Sequence, residues 1–544
     1  MIMIQDVTIT LFSVEKSQNI DENLVRKNIA KQIKCSENQI NAFLLKKKSL
    51  DARHGKVKVH LRYSVYTDKD FPSNSKEEFL PKYQNVDKSK KVIIVGCGPA
   101  GLFAALRLLE DGIMPIIVER GNTAKERKRD IAQISRNHVI NDDSNYCFGE
   151  GGAGTFSDGK LFTRSVKRGD PNRIYQIFHY FGASKEIITA SHPHIGSDLL
   201  PEIIHNMTCK IEEKGGQVLF NSRCTGFITK EKSGNKKIIK GVEVTNVMSG
   251  EKFKIEADCV ILATGHSAPD IYKLVQQLSE NTLEAKTFAV GVRVEHPRHI
   301  IDDIQYHGRQ KKEKLPAAEY RLTTQVNERG VYSFCMCPGG LVVPSSSNEE
   351  GLVVNGMSPS SRAARWSNAA IVTEIRPEDA QKILHEYKID FSNQLAGLIL
   401  REKIEKLAKE NGKGQSAPAQ RLEDFLEGQD SVNLPESSYA PGLIPSRLDL
   451  WLPKHISERL KQAFLDFDKK MKGFICSQGV LIAPETRTST PVRILRNKET
   501  LECDSILGLY PAGEGSGYSG GIVSSAIDGE KVAESIIKTK FKLV

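Results

Sequence analysis

The spacing of apolar residues changes along the chain, and each change marks an element. Val7-Thr-Ile-Thr-Leu-Phe12 alternates as a strand does. Asp21 to Ile33 carries the spacing of one helical face, with Asp21 placed to cap its start. Val57, Val59, Leu61, Tyr63 and Val65 alternate with Lys58, His60, Arg62 and Ser64, predicting a half-buried strand. This β-α-β-β order predicts a small ferredoxin-like α+β unit over residues 1–66. A polar stretch at 67–90, with Pro72, Ser73, Ser75, Pro81 and Lys88-Ser-Lys90, predicts a linker. Val92-Ile-Ile-Val95 is wholly apolar, the pattern of a parallel strand covered on both faces. Gly96-Cys-Gly98-Pro-Ala-Gly101 follows, then a helix over Leu102 to Glu110 and a strand, Pro115-Ile-Ile-Val118, closed by Glu119.

Glycines between a strand and a helix, with an acid 18 residues after Gly101 (119 − 101), form a dinucleotide-binding pattern. Gly96 permits the tight turn, Gly98 lets backbone approach a pyrophosphate, and Gly101 lets helix and strand pack closely. The helix start at Pro99 and Ala100 offers the free N–H groups of the residues after Pro99, and a positive dipole end, to phosphates. Glu119 is suited to accept ribose hydroxyls and to repel a 2′-phosphate, and Arg120 beside it joins the candidate cofactor residues. No second motif of this kind follows a strand, so no separate NAD(P)H domain is expected.

Two later segments complete the pattern. Ala257-Asp-Cys-Val-Ile-Leu-Ala-Thr-Gly265 predicts a strand ending in the turn Ala263, Thr264, Gly265. Leu509-Tyr-Pro-Ala-Gly-Glu-Gly515 leads into Ser519-Gly-Gly-Ile-Val-Ser-Ser-Ala-Ile-Asp528, a strand, a carboxylate, a glycine turn and a small-residue helix. The Ala-Thr-Gly turn and the Ala-Gly-Glu motif resemble those of the two-dinucleotide-binding-domain flavoproteins. That resemblance implies non-covalent FAD, held at Gly513 and by Glu514 on the ribityl chain. It places the N–H groups of Gly520, Gly521 and Ile522 at the flavin pyrimidine edge. Five glycines crowd residues 149 to 159. By resemblance to the flavoprotein subunits of succinate dehydrogenase and fumarate reductase, Gly151, Gly152, Ala153, Gly154 and Ser157 should approach FAD with their backbone. The alternative is an ordinary surface loop.

Several phrases together resemble the bacterial and plastid FAD-dependent dehydrogenases, also called NAD(FAD)-utilising dehydrogenases. They include Lys48-Ser-Leu-Asp-Ala-Arg53, His194-Ile-Gly-Ser-Asp198, Gly291-Val-Arg-Val-Glu-His-Pro297, Tyr332-Ser-Phe-Cys-Met-Cys-Pro-Gly-Gly340 and Glu485-Thr-Arg-Thr-Ser-Thr-Pro-Val-Arg493. The fold class expected is α/β. A Rossmann-like FAD domain is split into 91–275 and 481–544, an α+β cap at 276–480 is inserted, and the small α+β domain at 1–66 stands in front.

The expected activity is hydride transfer between an organic small-molecule substrate and flavin N5, the flavin supplying the chemistry. The electron donor or acceptor is not readable. Arg293 and Glu295 share one strand face, suited to a carboxylate clamp and a base, or to an ion pair. Arg487 and Arg493 flank the turn before the chain re-enters the FAD domain, and Tyr518 sits in the terminal flavin loop as the candidate for contact with substrate over the ring. Cys335 and Cys337 point the same way on a strand, but a Cys-x-Cys disulfide is strained, so buried thiols are expected. His192 and His194 lack a visible third ligand, so no metal is expected. His138 sits too far from Gly149 for the covalent flavin attachment of some relatives.

Composition bounds the alternatives. The 544 residues carry 77 Lys and Arg against 67 Asp and Glu, a net charge of +10, with lysines in short clusters such as Lys46-Lys47-Lys48 and Lys311-Lys312. Aromatics do not interleave with them, which argues against a nucleic-acid partner. A flavin-dependent RNA-modifying protein and a non-catalytic flavin-binding module are the competing readings. No apolar run is long enough for a membrane span. The ten cysteines are scattered without a Cys-x-x-Cys pair, as in a reduced, cytoplasmic protein.

Overall fold

The computed structural model describes residues 4–11, 21–52, 57–67, 79–163, 169–232, 236–310, 314–391 and 393–542. Phe12, Arg53, Lys311-Lys312 and residues 68–78 of the expected linker lie outside the described residues.

At the N-terminus β1 (Ile4–Leu11), α1 (Glu22–Ile33), β2 (Ala42–Asp51) and β3 (Lys58–Tyr66) form a three-stranded sheet in the order β1-β3-β2. Both pairings are antiparallel. Asp21 caps α1, its carboxylate accepting from the Asn23 N–H at 2.9 Å. Val25 and Ile29 of α1 pack on Val59, Leu61, Tyr63 and Val65, the alternating set of β3.

The second body opens with β4 (Asp87–Val95), which begins inside the expected linker. It continues with α2 (Pro99–Glu110), β5 (Ile113–Val118), α3 (Ala124–Asn137), β6 (Gln217–Leu219) and β7 (Val260–Leu262). Val92 to Val95 and all of β5 are buried, because parallel strands are covered on both faces. Gly96 adopts φ +108, and a Cβ there would meet the Ala263 carbonyl oxygen at 2.4 Å. A Cβ on Gly101 would stand 2.0 Å from the Gly96 carbonyl oxygen. One glycine therefore makes the turn and the other lets α2 lie on it.

The chain then builds the cap. Its seven-stranded sheet has β8 (Phe288–Pro297) at the centre, paired antiparallel with β10 (Trp366–Ile375) and β11 (Val480–Glu485), with β9 (Arg329–Cys337) beyond β10. The helix α4 (Ala396–Asn411) packs into the same apolar core through Leu400 and Ile404. Because β11 pairs with β8, the domain boundary expected at 481 moves past residue 485: those residues belong to the cap sheet. The chain returns with β12 (Leu509–Pro511), completing a parallel sheet of order β12-β7-β4-β5-β6, and ends on α5 (Ile522–Ile536). A Cβ on Gly529 of α5 would lie 2.0 Å from the Ala100 carbonyl oxygen, so this small-residue helix packs directly against α2.

Candidate flavin site

A cleft opens at the carboxyl edge of the parallel sheet, where open α/β sheets place their ligands. Four segments distant in sequence line it. They are Gly98–Ala100 at the start of α2, Gly152–Ser157, the turn Ala263–Gly265 with His266 and Ser267, and Glu514 with Gly521, Ile522 and Ser525. A smaller pocket shares Thr264 and lies beyond Gly96, between Arg120, Phe148, Arg223 and Asp270.

Three features of the cleft fit a dinucleotide. First, α2 and α5 both begin at it, and neither first turn has a side-chain cap, which leaves their N–H groups for a ligand. Second, Gly98 and Gly152 face each other across backbone. A Cβ on Gly152 would come within 3.1 Å of the Gly98 Cα, narrowing the entry. Third, Glu514 is half-buried on the cleft wall and, among the described residues, its carboxylate has no protein donor. Burial pushes its carboxyl up to about 7, with Lys286 opposing. An acceptor without a donor in a cleft is what a polyhydroxyl chain satisfies.

The glycine-rich segment is not a surface loop. Arg127 of α3 is fully buried and donates to the carbonyls of Asn145, Tyr146, Glu150 and Gly152. Glu150, also buried, accepts from the Ala124 N–H at 2.6 Å and the Thr208 hydroxyl at 2.5 Å. Glu119 completes the scaffold, its carboxylate taking the N–H groups of Cys97 (2.8 Å), Gly121 (3.0 Å) and Gly149 (2.8 Å). It therefore ties three loops together and lies behind the pocket walls, where the sequence predicted a ribose contact. Arg120 does line the smaller pocket, stacked 4.3 Å from the Phe148 ring and bonded to Asp143 at 2.9 Å. Gly101, Gly151, Gly513 and Gly520 shape the turns without lining the cleft.

The expected catalytic residues separate into three groups. Arg487 reaches the site: its Nη1 lies 3.5 Å from Cys147 Sγ and 3.3 Å from Ser267 Oγ, both on the cleft wall. Its other nitrogens are held by Glu405 at 3.1 and 2.8 Å. Arg401, one turn before Glu405 on α4, donates to the His266 carbonyl at 2.9 Å. Two buried guanidiniums around one carboxylate thus back the cleft, and neither Glu405 nor Arg401 stood out in the sequence. Burial, with these two arginines adding to it, pushes the His266 imidazole down to about 3, so it is neutral.

Arg293 and Glu295 are both fully buried inside the cap sheet, away from the cleft. The partner of Arg293 is Glu485 on β11, at 3.0 Å, with Asn368 at 2.6 Å. Glu295 is instead held by Ser437 and Ser438. The pair expected between them is replaced because β11 and the Ser437-Ser438 turn each bring a closer partner.

Arg493 and Tyr518 also stand outside the cleft. Arg493 pairs with Glu284 at 2.8 Å, its direct opposite on the antiparallel strand Leu283–Ala285. Tyr518 donates its hydroxyl to the Ile494 carbonyl at 3.1 Å, and the Arg496 guanidinium lies 3.7 Å from its ring centre. Gly517, at φ +84 and packed on Arg493, turns the loop that way. His192 meets Glu319 at 3.0 Å and His194 the Ser360 carbonyl at 3.1 Å. Among the described residues no cluster of three or more His, Cys, Asp or Glu could hold a metal ion. His138 ends α3 and accepts from the Gln415 N–H at 2.9 Å. No helix among the described residues is long and apolar enough to cross a membrane.

A parallel sheet, a glycine turn into an uncapped helix and a second helix closing on the same cleft define an FAD-binding flavoprotein of the oxidoreductase class. Family comparisons agree: an "FAD binding domain" profile matches residues 89–313, and "FAD-dependent protein, C-terminal domain-like" matches 287–488. FAD is the cofactor. A domain of unknown function matches residues 3–66. The chain belongs to the same family as an uncharacterized protein of Clostridium beijerinckii, 37% identical over 99% of this chain and 100% of that one. Among solved structures, a flavoprotein/dehydrogenase from Cytophaga hutchinsonii is similar over 84% of this chain and 80% of its own, at 11% identity and TM-score 0.35. CtdE in complex with FAD is similar over 82% and 84%, at 12% identity and TM-score 0.32.

Proposed function

We propose that this chain is an FAD-dependent dehydrogenase that moves a hydride between a carbon of an organic substrate and the flavin. This reading places it among the FAD-dependent dehydrogenases whose phrases it shares. The observation that carries it is the cleft shared by two uncapped helix starts and the unsatisfied Glu514 carboxylate. In this reading the N–H groups of α2 take the pyrophosphate, the pocket at Arg120 takes the adenosine end, and Glu514 takes the ribityl hydroxyls. The N–H groups at Gly521 and Ile522 face the flavin, where a positive helix end stabilises negative charge. The flavin, when bound, supplies the two-electron chemistry. The protein residues orient it and exclude water, and Arg487 behind Cys147 and Ser267 keeps positive charge beside it.

The test is the visible spectrum of the purified chain, acid release and identification of the cofactor, then anaerobic reduction with candidate carbon donors and NAD(P)H. Released FAD that is bleached by a carbon donor supports the reading. Retained FAD that no donor reduces, with electrons entering only from dithionite, overturns the dehydrogenase assignment and leaves a flavin-binding module.

A further inference from the structure

The deepest nucleophile cluster outside the cofactor cleft is at the end of β9. Cys335 has φ +43, a left-handed conformation that non-glycine residues seldom take. The pairing of β9 with β10 shifts register between Phe334 and Cys337, so Cys335 sits on a bulge. A regular strand sets residues i and i+2 about 6.6 Å apart, near the upper limit of Cα spacing for a disulfide. The register shift takes residues 335 and 336 out of regular strand pairing, so that regular spacing does not apply across the bulge.

Lys160, which follows the cleft-lining Ser157 in the glycine-rich segment, points its Nζ between the two thiols. It lies 3.9 Å from Cys335 Sγ and 3.8 Å from Cys337 Sγ, and donates to the intervening Met336 carbonyl. Arg293 Nη1 lies 4.0 Å from Cys337 Sγ and donates to the Cys335 carbonyl at 3.3 Å. Cys337 is fully buried, whereas Cys335 is only partly so. Residue 335 thus keeps some contact with solvent where Cys337 has none, and two cations serve both thiols.

We propose that Cys335 and Cys337 form a redox-active dithiol that reduces small-molecule disulfides, with Cys335 attacking and Cys337 resolving. The Cys335 thiolate attacks one sulfur of R–S–S–R. That S–S bond breaks and RS⁻ leaves. Cys337 then gives up its proton and attacks the Cys335 sulfur of the mixed disulfide. The second RS⁻ leaves and takes that proton. Two electrons pass from the dithiol to the substrate, which departs as RS⁻ and RSH, and a Cys335–Cys337 disulfide remains. The electrostatics agree with this order. The Cys337 thiol donates to the Cys335 carbonyl oxygen at 3.3 Å, and its closeness, with Lys160 and Arg293, pulls the Cys335 thiol well below its ordinary range against burial. Donation to Cys335 and burial push Cys337 well above it. The other charged groups facing the pair are Asp158 beside Lys160, Arg362 behind Asp158, Glu485 on β11 and Glu514 in the cleft.

No step here uses FAD, so its failure is distinguishable from failure of the dehydrogenase reading. The experiment treats the full reduced chain anaerobically with oxidised glutathione, quenches with acid, alkylates and maps peptides. Trypsin cuts after Arg329 and Arg362, and the fragment between them holds only these two cysteines. Wild type should yield an internal disulfide in that fragment. Cys337→Ser should stop at glutathione on residue 335, and Cys335→Ser should leave Cys337 unmodified. At pH 6, iodoacetamide should label Cys335 about tenfold or more faster than the half-buried Cys35, and Lys160→Met should abolish the difference. The proposal fails if wild type gives no internal disulfide, or if Cys335 is labelled no faster than Cys35. Both results come from the unmutated protein, so misfolding of a variant cannot hide them.

Discussion

Replacing Glu405 by alanine should unfold the cap at markedly lower temperature and loosen the flavin cleft together. Glu405 is 4% exposed, Arg401 2% and Arg487 6%. The carboxylate takes two bonds from Arg487, at 3.1 and 2.8 Å, and one from the Thr486 hydroxyl at 2.6 Å, with Arg401 Nε at 3.8 Å. Alanine leaves both guanidiniums buried without the carboxylate that bonds them, and among the described residues only the unbonded Glu402 carboxylate remains nearby. Breaking a buried pair in this way costs about 3–5 kcal/mol, far more than the packing lost with a short side chain. For a unit of some 150–250 residues, that lowers the transition by roughly 6–20 °C. Calorimetry of holoprotein and variant reads the shift, and filtration followed by absorbance reads FAD retention. Acid sensitivity gives a second check. Burial raises the Glu405 carboxyl, but Arg487 and Arg401 outweigh burial and hold it below its ordinary value of 4.5. Its contribution is therefore complete above that value and lost as pH falls through the lower folded one, a limb the variant lacks. Glu405→Leu with Arg487→Met removes one stranded cation and should cost less than Glu405→Ala alone. A double variant as unstable as the single, or a shift for Glu405→Ala below about 3 °C, would refute the charge argument and leave only packing.

Glu514→Gln should make the FAD-free protein less sensitive to alkali: a carboxyl raised to about 7 contributes stability below its unfolded value that is lost as pH rises through 7. The effect is about 1–2 kcal/mol after allowance for its contact with solvent, read from melting temperatures at pH 5 to 8. Gly101→Ala places a Cβ 2.0 Å from the Gly96 carbonyl oxygen. It should cost about 1–3 kcal/mol and release FAD, whereas Gly520→Ala, with nothing within 4 Å, should leave the melting temperature unchanged. Tyr518→Phe loses one hydrogen bond to the Ile494 carbonyl and should cost about 1 kcal/mol with no change in the flavin spectrum. A spectral change would return Tyr518 to the flavin.

What was legible in the sequence is what local chemistry decides. Val92 to Val95 could be assigned because a strand covered on both faces admits only apolar residues, and Gly96 and Gly101 because no other residue fits their turn and contact. Asp21 was readable for the same reason: a cap acts two residues away. The errors lie where the deciding partner is remote. Arg293 and Glu295 do share a strand face, but period two cannot reveal that Glu485, 192 residues on, takes Arg293. Arg127 sits among Lys125, Lys128 and Arg129 and reads as solvated charge, yet it is the residue that holds the glycine-rich segment. The small-residue pattern of 513–522 marked the flavin loop, but the turn at Gly517 sends Tyr518 away from it. Cys335 is a different case: both it and Cys337 are free thiols, as expected, but their surroundings were not readable. The alternation rule put its thiol beside that of Cys337 and then dismissed the pair, because regular strand spacing strains the bridge. The register shift between Phe334 and Cys337 takes the pair out of the regular spacing on which that dismissal rested. The side-chain pattern was read correctly, and the proposed dithiol chemistry turns on a break in strand pairing that periodicity does not encode.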